Sequence, residues 1–175
     1  MAPGRHKPVT ETVDTLDELP GWARPLLEEE RVAHLGLIDD RGFPRVLPVT
    51  FAVVEAAAWS AVDDKPKQHA GDLARVRWLR ARPASALTVD RYDDDWRRLA
   101  WVQIVGTSAV VDVVDNERVI EALIARYAQY RERPPRGPLL RLEPRHIVCW
   151  RAAALQGSRN DGPTPAPTSA GDGST

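Results

Sequence analysis

Apolar residues recur along this chain with two different periods, and the period separates predicted strands from predicted helices. Alternation of apolar and polar residues indicates strands, whereas apolar residues three and four positions apart indicate amphipathic helices. Because most consecutive strands are joined by short turns, the pattern favours an antiparallel barrel over a doubly wound parallel sheet. Six strands are predicted, over residues 32–38, 44–54, 57–62, 85–90, 99–112 and 139–150. Three helices are predicted, from Leu19 to Glu30, from Leu73 to the residue before Pro83, and from Asp115, as the cap, to Tyr127.

Three residues are unusual for the strands that contain them. In the strand 44–54 the apolar residues occupy the odd-numbered positions from 47 to 53, and Pro48 lies on the opposite face. A proline cannot donate to a strand ladder, so Pro48 predicts an edge, a bulge, or a place where a flat ligand ring lies alongside. Gly106 predicts a bulge or a close backbone approach. His34, inside the first strand, is predicted to be a hydrogen-bonded core histidine.

The length and charge of the chain bound its organisation. A chain of 175 residues fits one domain, and we expect a flexible N-terminus over 1–17, the barrel over 18–155 and a disordered tail over 156–175. The net charge of -1 argues against a general nucleic-acid binder.

The expected compartment follows from the lack of long apolar segments, and the expected state of the thiol follows from the single cysteine. No apolar targeting segment follows the basic N-terminus, and no apolar stretch has the length of a membrane span. The one cysteine, Cys149, excludes an internal disulfide, and its apolar neighbours predict a buried thiol. We therefore expect a soluble, cytoplasmic protein that does not act at a membrane.

Lysine is rare in this chain, which makes its placement informative. The three lysines are Lys7, Lys65 and Lys67, whereas arginine supplies the other basic residues. The second and third come shortly after a predicted strand and precede a helix that contains Arg75. An ammonium group is a compact point charge suited to phosphate, so the pair predicts a phosphate-bearing ligand where the strand meets the helix. A solvated turn is the alternative interpretation, since charged runs usually face water.

Other catalytic and metal-binding patterns are weak in the sequence. The loop Tyr92–Trp96 contains three consecutive aspartates, but adjacent carboxylates do not converge on one ion, and the spacing of a calcium loop is absent. We therefore predict no metal site. The chain also contains no glycine-rich dinucleotide fingerprint, nucleophile elbow or zinc-ligand spacing.

Several motifs, taken in order, resemble a known family. The stretch Gly42-x-Pro44-x-Val46-x-Pro48-Val49 resembles the split β-barrel flavoproteins of the pyridoxamine 5′-phosphate oxidase class. The branch usually called coenzyme F420-dependent is similar to this chain in the later motifs, which are Asp63-Asp64-Lys65-Pro66-Lys67, Leu73–Arg77, Arg82-Pro83, Val89–Trp96, Leu99–Val102 and Gly106. The resemblance extends from Val32 to Trp150.

The resemblance implies a mainly β fold with flanking helices, a six-stranded antiparallel split β-barrel. It also implies a homodimer with the cofactor at the subunit interface. The implied cofactor-binding residues are Lys65, Lys67 and Arg75 at the phosphate, Pro48, Val49 and Thr50 along the ring, Trp59 and Ser60 on the next strand, and Gln103 where flavin relatives use glutamine.

The implied activity is that of an oxidoreductase that transfers hydride from the deazaflavin F420 to a small organic acceptor. The chain lacks the Arg-x-x-Leu-Leu-Lys pattern of the oxidases, which favours the deazaflavin over FMN. The alternatives are an FMN-dependent enzyme on the same fold, a flavin- or deazaflavin-binding protein without turnover, and an interaction module. The aromatic residues Tyr92, Trp96 and Trp101 are predicted either to form a wall for the substrate or to belong to the core.

One residue departs from the family pattern. Family members commonly carry an asparagine in the helix after the lysines, and this chain has Trp78 there. An indole cannot replace an amide that hydrogen-bonds phosphate, so either an arginine makes that contact or the cofactor affinity is reduced.

Overall fold

A computed structural model describes residues 8–62 and 73–152 of the chain. The predicted site residues Lys65 and Lys67, and the predicted tail 156–175, lie outside these ranges. The described part contains eight strands, β1 Val9–Val13, β2 Ala33–Ile38, β3 Pro44–Val49, β4 Ala52–Val54, β5 Ala57–Ala61, β6 Ala84–Arg91, β7 Ala100–Val111 and β8 Leu139–Arg151. It also contains four α-helices, α1 Arg24–Glu29, α2 Ala74–Ala81, α3 Glu117–Arg126 and α4 Ala128–Glu132, and short 3₁₀ helices at Leu16–Glu18 and Trp96–Arg98.

The strands form one antiparallel sheet whose two edges are neighbours in the chain. The strand order is β3-β2-β6-β7-β8-β5-β4, and β1 adds to the far half of β8. The strand β8 is long enough to pair with β7 along its length, with β5 through its first residues and with β1 through its last. Since only Thr50 and Phe51 separate β3 from β4, the chain itself joins the two edges. The predicted antiparallel split barrel is therefore confirmed, with eight strands in place of six.

The interior of the barrel is filled by the predicted apolar faces. Ala33, Leu35 and Leu37 of β2 are all buried, as their alternation predicts. They belong to a cluster that also includes Val102 and Ile104 of β7 and the buried thiol Cys149, which confirms the predicted core position of this cysteine.

A second apolar cluster lies outside the barrel, between the β4–β5 hairpin and the helices α3 and α4. It contains Trp59 from β5, Leu123 from α3, and the two tyrosines Tyr127 and Tyr130. The tyrosine rings meet edge to face, with centroids 5.6 Å apart. Through this cluster, the helices α3 and α4 cover one face of the hairpin.

Gly106 occupies a β-bulge between β7 and β8, as predicted. The register shifts between Val105 and Gly106, so that Gly106 pairs with Pro144. A Cβ at this position would lie 1.9 Å from the carbonyl oxygen of Glu143. The position therefore requires glycine because the two backbones approach too closely for any side chain.

Some sequence predictions are wrong in detail. Residues 9–13, predicted to be flexible, form the strand β1, which pairs with β8. Its side chains are mostly exposed, so no buried apolar face indicates a strand in the sequence. Asp115 does not cap α3: it adopts a left-handed backbone with φ 71°, and Asn116 is the N-cap residue. The helix after Leu19 begins only at Arg24. In the described part of the chain, no helix is long and apolar enough to cross a membrane.

Candidate functional site

The outer face of the barrel sheet carries one row of residues that spans five adjacent strands. Pro48 lies opposite His34, His34 opposite Thr88, Thr88 opposite Gln103, and Gln103 opposite Val148. Residues directly opposite one another in a sheet point to the same side, so the row forms one continuous surface. Two of the predicted cofactor-binding residues, Pro48 and Gln103, are thereby brought to the same face.

Aromatic and aliphatic side chains extend this surface. Trp101 and Trp150 are partners across β7 and β8, and their rings stack with centroids 6.2 Å apart. Both rings are half-buried, as is Val105, and Val46 at the other side of the face is 66% exposed. An apolar face of this extent, left accessible in one chain, is typical of a surface that a ligand or a second subunit covers.

The polar groups of the row are arranged in pairs. The Nε2 group of Gln103 donates to Oγ1 of Thr88 at 3.1 Å, which directs the amide and leaves the carbonyl oxygen of the glutamine without a partner in residues 8–62 and 73–152. Nδ1 of His34 lies 3.4 Å from Oδ1 of Asp90, and both side chains are nearly half exposed. His34 is therefore not the core histidine that the sequence predicted, and it contributes a titratable group to the outer face.

Pro48 lies on an edge strand, one of the possibilities that the sequence left open. Within the described sheet, β3 pairs only with β2, so the missing N–H leaves no second ladder incomplete. The residue is exposed and lies at the margin of the face.

Thr50 lies in the two-residue connection between the barrel edges. Its hydroxyl is 2.8 Å from the hydroxyl of Tyr130. The next residue, Phe51, is fully buried, and its N–H donates to the Tyr127 hydroxyl at 2.9 Å, while the Arg126 guanidinium covers its ring at 4.4 Å. The helices α3 and α4 thus hold this connection in place.

Three predicted site residues lie away from the outer face. Val49 points into the barrel core. Trp59 is buried in the second cluster, where its indole N–H donates to the carbonyl of Val54 at 3.3 Å. Ser60 is 5% exposed, and its hydroxyl has no hydrogen-bond partner among the described residues. The predicted set therefore does not form one surface within a single chain.

The helix α2 carries the remaining described candidates. Arg75 is half-buried, and its Nε, which is itself buried, has no hydrogen-bond partner in the part of the chain that the structure describes. Trp78, at the position where relatives have asparagine, packs against the barrel core, and the Arg45 guanidinium lies 5.5 Å from its ring centre. Its indole N–H is buried and has no hydrogen-bond partner among the described residues.

The carboxylates of the loop after β6 are used to fold that loop. The Asp93 carboxylate accepts a hydrogen bond from the N–H of Asp95 and forms an ion pair with Arg98. The Asp95 carboxylate caps the following 3₁₀ helix and forms an ion pair with Arg97. The hydrogen bond from Arg97 lowers the pKa of Asp95 below its usual range. Among the described residues, no cluster of His, Cys, Asp or Glu could hold a metal ion.

The aromatic residues of the same loop are not part of the core. Tyr92 is 72% exposed and Trp96 is 70% exposed. The core interpretation is thus excluded for these two residues, whereas Trp101 belongs to the outer face. The pairing of Trp101 with Trp150 was not predicted, because it depends on the register of β7 and β8.

No protein-family model and no curated protein matches the sequence. A conserved hypothetical protein from Mycobacterium tuberculosis has a similar structure, with a TM-score of 0.62, 17% identity, and coverage of 84% of this chain and 89% of that chain. A FAD-binding protein from Mesorhizobium loti matches with a TM-score of 0.57, 17% identity, and coverage of 83% and 99%. The heme storage protein HutZ from Vibrio cholerae matches with a TM-score of 0.56, 14% identity, and coverage of 69% and 86%. At these identities the likeness shows the fold, and the chain is a split β-barrel of the kind that these proteins share.

Proposed function

We propose that this chain is a coenzyme F420-dependent oxidoreductase that works as a homodimer, with the deazaflavin at the subunit interface and a small organic molecule as hydride acceptor. The ordered motifs of the sequence support the deazaflavin. The split-barrel fold supports a cofactor of the flavin type, since a structurally similar protein is described as FAD-binding.

The observation that carries the proposal is the outer face built from β3, β2, β6, β7 and β8. A flat, conjugated ring requires an apolar surface with a few directed polar groups. The stacked pair Trp101 and Trp150 supplies apolar area, and Gln103 presents a carbonyl oxygen whose amide is fixed by Thr88. A second copy of the chain covering this face would remove the half-exposed tryptophans from water.

The residues of one chain fit a phosphate-bearing cofactor in part. Arg75 provides a buried Nε without a partner in the described residues, on the helix that follows the lysine segment. Trp59 and Val49 do not fit, because both side chains are enclosed by protein. We therefore assign the ring to the outer face around Pro48 and Gln103, and its anionic end to Lys65, Lys67 and Arg75.

When bound, the deazaflavin supplies two-electron hydride chemistry, and the protein supplies position and the exclusion of water. Gln103 would orient the ring by its carbonyl oxygen, and the tryptophan stack would shield one side of it. No catalytic acid or base is assigned.

An FMN-dependent enzyme on the same fold is the second candidate, and the likeness to a FAD-binding protein favours it. Fluorescence titration of ligand-free protein with F420 and with FMN separates the two. Tighter binding of F420 supports the proposal, whereas protein that is purified yellow and prefers FMN contradicts it. If the protein binds F420 but reduced F420 is oxidised by none of a panel of acceptors, namely enones, quinones and nitro compounds, it is a binding protein without turnover.

Replacing Lys65 and Lys67 together with alanine tests the phosphate assignment. Each lost charged contact should weaken F420 binding by about 1–3 kcal/mol, so the double variant should bind at least tenfold more weakly. Lys7→Ala is the matched control because it removes the remaining lysine. Equal F420 affinity in the double variant and the control would remove the lysine pair from the site.

Val148→Arg tests the outer face itself. A charge placed at the β8 end of the row, directly opposite Gln103, should prevent a second subunit from covering the face, so the variant should sediment as a monomer and lose F420 binding. Val114→Arg is the control, because Val114 is an exposed aliphatic residue outside the sheet. A dimer that is unaffected by Val148→Arg would place the interface elsewhere.

A further inference from the structure

A separate cleft of about 510 Å³ lies between the short helix α4 and the loop that leads into β8. Its lining includes Gln129, Tyr130 and Glu132 on the helix side and Arg133 and Arg136 on the loop side. The volume falls within the range of sites that bind small molecules. None of the residues assigned to the cofactor lines this cleft.

The backbone around the cleft is held at several points. Pro134 and Pro135 fix the backbone between the two arginines, and Pro135 is buried. The carbonyl of Pro138 accepts a hydrogen bond from the N–H of Val62 at 3.1 Å, which attaches the loop to the end of β5. Tyr130 is 4% exposed and belongs to the second apolar cluster. A ligand would therefore meet a formed backbone, on which the exposed side chains of Arg133 and Arg136 would be ordered by binding.

The two arginines on this cleft are exposed, and their guanidinium groups are not engaged as those of Arg91 and Arg126 are. Arg91 pairs with Glu29 and Glu30, and Arg126 donates to the main-chain carbonyls of Glu28 and Glu30 at the end of α1. In contrast, the guanidinium groups of Arg133 and Arg136 have no hydrogen bond or ion pair with any residue of 8–62 or 73–152. A guanidinium presents five donors in a planar fork, which fits two oxygens of one phosphate or carboxylate group.

We propose that this cleft is a binding site for a small molecule that bears an oxyanion, a phosphate or a carboxylate, held between Arg133 and Arg136. Among the described residues that line the cleft, Glu132 is the one carboxylate, so the two guanidinium charges there exceed the negative charge. The site goes beyond the proposed redox function, and its occupancy is measured without any cofactor.

The proposal predicts opposite effects for substitutions on the two sides of the cleft. Arg133→Gln combined with Arg136→Gln should weaken binding of the anion at least tenfold. Glu132→Gln should strengthen binding severalfold, because it removes the nearby negative charge while keeping the size of the side chain. A merely structural role for these residues would not produce a gain with one variant and a loss with the other.

Calorimetric titration of the full chain with inorganic phosphate and, separately, with citrate, at constant ionic strength, tests the site. Stronger binding of one of the two identifies the phosphate or the carboxylate source. Arg41→Gln combined with Arg145→Gln is the control, since both residues are exposed and lie on other elements, and the change in net charge is the same. Thermal unfolding of each variant verifies that it is folded. The proposal is overturned if the native chain binds neither probe, or if the control pair loses as much affinity as the cleft pair.

Discussion

Replacement of Gly106 by alanine tests whether the bulge between β7 and β8 is a constraint of the fold. The added methyl carbon would lie 1.9 Å from the carbonyl oxygen of Glu143, 2.9 Å from its carbonyl carbon and 3.2 Å from the nitrogen of Arg145. All three atoms belong to the backbone of β8. No side-chain rotation can therefore relieve the contact, and one strand must move.

The size of the required movement sets the expected loss of stability. Ordinary contacts of a Cβ begin at 3.4 Å, so the carbonyl oxygen at 1.9 Å must retreat by about 1.5 Å. Forcing atoms into a packed interior typically costs about 1–3 kcal/mol and occasionally more. Because this shift also distorts the ladder on both sides of the bulge, we expect a decrease in the free energy of unfolding at or above the upper end of that range.

Gly36→Ala supplies the matched control in β2. A Cβ at Gly36 would meet the carbonyl oxygen of Ala86 at 3.6 Å, an ordinary van der Waals distance. Alanine is better than glycine inside a regular element by roughly 0.5–1 kcal/mol, so this variant should be neutral or slightly more stable. Urea unfolding of both variants, followed by far-UV circular dichroism, gives the comparison. Similar stability of Gly106→Ala and Gly36→Ala would refute the assignment of Gly106 to a backbone contact.

Two further predictions concern buried polar groups. Tyr127→Phe should lower the free energy of unfolding by about 1–3 kcal/mol, because the buried N–H of Phe51 loses its acceptor. The control Tyr92→Phe, on the exposed loop, should leave urea unfolding unchanged, and equal stability of the two variants would contradict the role of Tyr127 as an acceptor. Burial and, secondarily, the charge of Glu11 raise the pKa of the Cys149 thiol to about 11. Because the folded state disfavours the thiolate, the contribution of Cys149 to stability should be complete below about pH 9 and should decline toward pH 11. The free energy of unfolding by urea should be measured for the native chain and for Cys149→Ala between pH 8 and 11. The difference between the two should become smaller as the pH rises, and a constant difference would disprove the raised pKa of Cys149.

The interior of the barrel could be predicted from the sequence, because a buried face leaves a period of two in the chain. In β2 the residues Ala33, Leu35 and Leu37 are apolar and all of them are buried. The bulge could be predicted as well, since a glycine within a long β-rich run typically marks a bulge or a close backbone approach. The strand β1 has no such mark: its side chains are mostly exposed, and it is a strand because the backbone of β8 offers it partners.

The candidate site was harder to predict because alternation separates two faces without saying what covers each of them. Pro48 and Trp59 both lie on faces that point away from the barrel interior, and the sequence placed them along one ligand. In the structure α3 and α4 pack on the hairpin that carries Trp59, while the face of Pro48 remains accessible. Whether each face is covered depends on the position of the helices that follow β7, which are distant in sequence from both Pro48 and Trp59.

The same dependence on distant parts of the chain applies to His34 and Gln103. They are joined only through the registers of β2, β6 and β7, since no local pattern brings together residues so far apart in the chain. A surface assembled in this way can be completed by a second copy of the same strands, which is why the state of assembly is the first property to measure for the proposed cofactor site.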